Sequence, residues 1–158
     1  MIEMKYADYS WEQTAALLAI DSPSGYTKAA AEWVKATFEN LGFKAEITVK
    51  GGVIIDLGGK NADDGLLLEA HADTLGAMVA QIKGDGRLKL TNLGGMNPNN
   101  AEAENVKVYT RSGKVIEGTC QLCNASVHVN GDYSSAKRDW NSVEIVLDEN
   151  VSSAKDTR

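Results

Sequence analysis

The chain is poor in cysteine and has no surplus of positive charge. Only two cysteines occur in 158 residues, Cys120 and Cys123 in "CQLC". Two thiols cannot build the disulfide framework of a small secreted domain, so reduced cysteines are the default. Lys and Arg number 16 against 22 Asp and Glu, a formal net charge of −6. That balance speaks against a nucleic-acid partner and against a membrane surface, since both are gripped by clustered Lys and Arg. No apolar run approaches the roughly 18 residues of a spanning helix, and the opening "MIEMKYADYS" lacks the basic flank and apolar core of a signal peptide. The expected location is the cytoplasm. Low-complexity tracts, linkers and internal repeats are also missing, while 43% hydrophobic and 24% charged residues are ordinary for a globular protein.

What is present reads in two textures. In "SWEQTAALLAI", Ser10 and Gln13 stand at capping-box spacing ahead of Trp11, Ala15, Leu18 and Ala19 on one helical face, which predicts a helix of about three turns with Trp11 in the core. A Ser-, Pro- and Gly-rich turn, "DSPSGYT", follows. Then Ala30, Trp33, Val34, Phe38 and Leu41 recur at helical spacing until Gly42 stops the second helix. From Phe43 to Lys50 the period is two, the mark of a half-exposed strand, and Gly51 and Gly52 turn the chain. "VIIDL" and "LLLEAHAD" are continuous apolar runs, expected as strands buried on both faces. After Gly76 no convincing helix is predicted. "AMVAQIK", "RLKL", "VKVYT", "KVIEGTC" and "SVEIVLD" are short strands spaced by turn sequences, the pattern of a small β-barrel or sandwich. The fold class is α/β, with domains at 1–76 and 77–158.

His71 and Asp73 close the second apolar run, two residues apart and therefore on one face of an extended chain. Ligands of α/β sheets collect at such strand ends. A metal-bound imidazole normally gives its other N–H to a carboxylate, which fixes the tautomer and strengthens the ligand. The spacing equally suits a partly buried, satisfied histidine beside an aspartate that caps a turn before Gly76. Spacing alone leaves both open.

"SPSGYT" after an N-terminal helix, "HADTLGAMV" at the end of an apolar run, and a β segment with "VIEGTCQLCNASVHV" together resemble the glutamyl-aminopeptidase and deblocking-aminopeptidase family, from about Tyr9 to the end. The resemblance implies a cytosolic two-metal exopeptidase acting on peptides, several members of which form large tetrahedral assemblies. It implies a partial α/β metallopeptidase domain followed by a barrel-like insertion used for subunit contacts, hence a homo-oligomer. His71 matches the histidine that binds one of two divalent ions, zinc or cobalt, and Asp73 the aspartate that orients parts of that site. His128 matches a histidine of the β insertion. The implied chemistry is hydrolysis of an N-terminal peptide bond by metal-bound hydroxide, with the ions stabilising the oxyanion.

Two departures stand out. Many members carry an acidic residue where this chain has Thr74. More important, the bridging carboxylate, the remaining ligands and the glutamate base lie downstream in the family, and Asp132, Asp139, Glu144, Asp148 and Glu149 match none of them. The sequence therefore reads as the front portion of such an enzyme, inactive alone because one histidine cannot hold zinc firmly. A competing reading is a non-catalytic oligomerisation or binding module with a vestigial metal site; downstream ligands separate the two. Cys120, Cys123 and His128 have part of a zinc-knuckle spacing, but no fourth ligand follows, and small reduced thiols are the better reading. "GDG" and "GGMNPNN" are read as turns, lacking the setting of a phosphate loop.

Overall fold

The computed structural model describes residues 6–61 and 63–157. Residues 1–5, read above for the lack of a leader, lie outside the described residues, as does Arg158 at the end of the chain. Two compact units succeed each other, the first ending at Leu75 and the second beginning at Gly76.

The first unit holds α1 (Ala7–Leu18), α2 (Lys28–Asn40), β1 (Lys44–Ile47) and β2 (Val53–Asp56). Helix α1 starts a turn before Ser10, whose N–H already donates to Tyr6 O at 2.8 Å, and no side chain caps it. The expected capping box is therefore absent: Asp8, in the first turn, supplies a negative charge where the helix dipole favours one. Trp11 is 75% exposed and α1 buries none of its residues, so the core position expected for Trp11 is also overturned. Periodicity makes a face apolar without providing anything to cover it.

Helix α2 ends as predicted. Gly42 takes φ +91°, its N–H donates to Glu39 O at 2.9 Å, and Phe43 N–H donates to Phe38 O at 3.1 Å. The rings of Phe38 and Phe43 meet edge-on at 6.3 Å, completing a Schellman cap with its apolar contact. Strands β1 and β2 pair antiparallel from Lys44 opposite Asp56 to Ile47 opposite Val53. The run after Gly65 differs from expectation: Leu66, Leu67 and Leu68 are 87%, 83% and 74% exposed and lie in no strand. A strand exists only where a neighbouring backbone takes its hydrogen bonds, and the β1–β2 hairpin does not do so here.

The second unit is a curled antiparallel sheet of β3 (Gly76–Ile82), β4 (Leu88–Leu93), β5 (Asn105–Tyr109), β6 (Val115–Leu122) and β7 (Val143–Leu147), ordered β3-β4-β7-β6-β5. A register shift between Val79 and Gln81 marks a bulge in β3. Leu88, Leu90, Cys120, Val143, Ile145 and Leu147 form the core, with Trp140 and Tyr133 packed against it. Where "GGMNPNN" predicts only a turn, the chain forms one helical turn, α3 (Pro98–Ala101). Asn97 caps it by accepting from Asn99 N–H at 3.0 Å, and Pro98 opens it. Arg138 ties the loop before β7 to the region after α3, donating to Glu102 Oε2 at 2.7 Å and to Ala136 O at 2.7 Å. Its guanidinium holds the Glu102 carboxyl below the ordinary value of 4.5. Among the described residues no helix is long and apolar enough to cross a membrane.

Candidate functional site

The site is built on a turn and on the extended segment that meets it. In Pro23-Ser24-Gly25-Tyr26, Tyr26 N–H donates to Pro23 O at 2.7 Å and Gly25 takes φ +86°. This is a type II turn, whose third position requires the left-handed region that glycine enters freely. Thr74 N–H donates to Ser22 O at 2.8 Å, and Pro23 and Thr74 form a parallel bridge. The segment leading out of the exposed leucines is thus tied by its backbone to the turn.

Three side chains converge there. Ser24 Oγ donates to Asp73 Oδ2. His71 Nδ1 lies 3.1 Å from Asp73 Oδ1 and 3.1 Å from the Asp73 carbonyl oxygen. Both of those partners are acceptors only, so in the neutral ring the proton sits on Nδ1 and the lone pair is left on Nε2. That lone pair looks outward on a side chain that is 87% exposed. The hydrogen bond from Ser24 is the main reason the Asp73 carboxyl lies below its ordinary 3.8; burial opposes it and His71 reinforces it. The hydroxyl of Ser24 gives its only proton to the carboxylate, and the basic nitrogen of His71 faces solvent, so this is no serine-nucleophile relay.

As a metal centre the arrangement is partial. An exposed Nε2 with its partner nitrogen anchored to a carboxylate suits one ligand position. Among the described residues no group of three or more His, Cys, Asp or Glu is placed to hold an ion, so a two-ion site does not fit this chain's residues alone. The other candidates do not gather. Cys120 is buried in the sheet core, while Cys123 and His128 are exposed. Burial pushes both thiols above 9.0, toward the protonated form that binds zinc poorly.

Sequence reasoning overlooked two residues. Ser24 was visible only as part of a turn motif. Glu144 was visible as an acidic residue in β7, yet it is fully buried and receives Lys83 Nζ together with Arg87 at 2.6 Å. A glutamate inside "SVEIVLD" was the available signal, since a central strand covered on both faces can hold a charge only if it is paired.

Residues 51–158 match the M42 glutamyl aminopeptidase family. YhfE of Bacillus subtilis (strain 168), which carries a provisional aminopeptidase name, is 40% identical over 141 residues, covering 89% of this chain and 41% of YhfE. A TET aminopeptidase from a marine sediment archaeon of the Thaumarchaeota superposes with a TM-score of 0.76 at 19% identity, over 97% of this chain and 42% of that one. The TET1 peptidase of Pyrococcus horikoshii, which can assemble into a tetrahedron or a large octahedral shell, superposes with a TM-score of 0.73 at 20% identity, over 92% of this chain and 42% of that one. At those identities the superpositions speak for the fold. The chain spans about two-fifths of the length of each of these proteins.

Proposed function

Since the chain belongs to the M42 glutamyl aminopeptidase family, we propose that it supplies the histidine-bearing part of a cytoplasmic aminopeptidase that removes N-terminal residues from peptides. In this reading the first unit is part of the catalytic α/β domain and the second is an insertion through which copies associate, as the assembly of the TET1 peptidase suggests. The observation that carries the proposal is the outward Nε2 of His71, with Nδ1 bound to Asp73. His71 would hold one of two divalent ions, zinc or cobalt, and Asp73 would keep the ring in its ligating tautomer. When bound, the ions supply the activated water and the charge that stabilises the developing oxyanion. The further ligands, the bridging carboxylate and the base would come from polypeptide outside these 158 residues. The same polypeptide would cover the exposed Leu66, Leu67 and Leu68.

Cobalt(II) added to the 158-residue chain is expected to broaden NMR signals of His71 first, with weak affinity. His71→Ala should abolish that effect and Asp73→Asn should weaken binding about 10- to 100-fold. Amino-acid anilides should not turn over. Chelator-sensitive, stoichiometric hydrolysis by the pure chain, or cobalt broadening centred on His128 or Cys123, would contradict the assignment. Native mass spectrometry of the same chain checks association: a purely monomeric species at tens of micromolar would remove the insertion's proposed role.

A further inference from the structure

The turn bearing Ser24 is fixed at points that do not involve its side chain: the Tyr26-to-Pro23 hydrogen bond, the positive φ of Gly25, and the Thr74-to-Ser22 hydrogen bond. The hydroxyl is therefore delivered by rigid backbone to a carboxylate 49 residues further along the chain. Asp73 uses its two oxygens on different partners, Oδ2 on Ser24 and Oδ1 on His71. A carboxylate held at one oxygen can still turn about a broad, roughly two-fold torsion. Held at both, its plane is set, and with it one of the two acceptors that Nδ1 of His71 faces, the other being the Asp73 carbonyl oxygen.

From this geometry we infer that Ser24 is a positioning residue for His71, acting through Asp73: it holds the carboxylate in the orientation that keeps the proton on Nδ1 and the Nε2 lone pair facing outward. The inference rests on the proposed ligand role of His71, to which it adds a third residue drawn from a different part of the chain. Ser22, next to it in the turn, serves as the contrast. Ser22 is 1% exposed and its hydroxyl has no hydrogen-bond partner among the described residues, so removing that hydroxyl breaks no hydrogen bond of the turn and leaves the Ser24–Asp73–His71 chain intact.

The test is the tautomer ratio of His71, read from long-range proton–nitrogen correlations of the ¹⁵N-labelled 158-residue chain at alkaline pH, with His128 as internal reference. The Nδ1–H form should dominate in the parent chain. Ser24→Ala should move the ratio toward Nε2–H by about threefold or more, the scale of one lost hydrogen bond. Ser24→Thr, which keeps a hydroxyl, should restore it, and Ser22→Ala should leave it unchanged. The inference fails if Ser24→Ala matches the parent, if Ser24→Thr does no better than Ser24→Ala, or if Ser22→Ala shifts the ratio as far. Because the readout involves no metal, a chain whose His71 ignores cobalt(II) but whose tautomer answers to Ser24 would refute the ligand reading alone.

Discussion

Replacing Lys83 and Arg87 together by Met is expected to cost about 3–5 kcal/mol of folding stability, measured by urea unfolding at neutral pH. Glu144 lies in the central strand β7 with a side chain only 1% exposed, whereas Lys83 and Arg87 are 35% and 38% exposed. The asymmetry decides which removal hurts. Without its cations the buried carboxylate keeps its desolvation cost and loses its compensation. Without the carboxylate the two cations can extend their heads into water while their stems stay in place. Glu144→Leu should therefore cost far less than the double replacement, and the triple variant Lys83→Met, Arg87→Met, Glu144→Leu should recover most of the loss. A double variant within about 1 kcal/mol of the parent would mean that the buried pair is energetically idle. The Lys83 ammonium is raised above its ordinary 10.5, chiefly by its hydrogen bond to Glu144. A raised cation stabilises fully below the unfolded value and loses that contribution as pH climbs through the folded one. Alkaline unfolding above pH 10.5 should accordingly be flatter in the Lys83→Met background than in the parent.

Gly118→Val is expected to destabilise the second unit by about 3 kcal/mol, which lowers its melting temperature by roughly 12–24 °C for a domain of this size. Gly118 is buried in β6, opposite Val106 of β5 and Leu147 of β7. A Cβ built there would stand 2.6 Å from Val146 O, 3.0 Å from a methyl of Ile145 and 3.2 Å from the Leu147 Cα. Two of those three atoms are backbone, so relief requires β6 and β7 to separate in the middle of the sheet. Glycine inside a strand usually marks such a close approach. Gly95→Ala is the control, because a Cβ at Gly95 meets nothing within 4 Å, and it should change stability by no more than about 0.5 kcal/mol. Calorimetry on both variants decides; equal melting temperatures would show that the sheet yields without cost.

Much of the framework was legible in the residues, because local rules govern it. The stop of α2 at Gly42 follows from a conformation that glycine adopts cheaply, and the strands of the β1–β2 and β5–β6 hairpins follow from short apolar or alternating runs bounded by turn residues, although the burial expected on both faces of β2 is overturned, Ile54 being 57% exposed. His71 and Asp73 were visible as a pair because two residues apart in an extended chain share a face, and the observed 3.1 Å contact is a local one. Local rules misled where the outcome depended on neighbours. Ser10 and Gln13 matched a cap motif, yet the helix had already begun at Ala7. Leu66, Leu67 and Leu68 had the composition of a buried strand, yet composition says what a segment suits and not what lies beside it.

The sequence by itself determined the two helices, the strand-rich second half, the likeness to its family and the histidine–aspartate pair, each read from short motifs whose residues are close together in the chain. Tertiary structure alone decided three things. It placed Ser24 against Asp73 across 49 residues, buried Glu144 between cations 57 and 61 residues away, and left Trp11 and the leucine run exposed. The reason is the same in each case: burial and hydrogen-bond partnership belong to pairs of residues, and when the partners are distant in sequence no window of residues around either one contains the other.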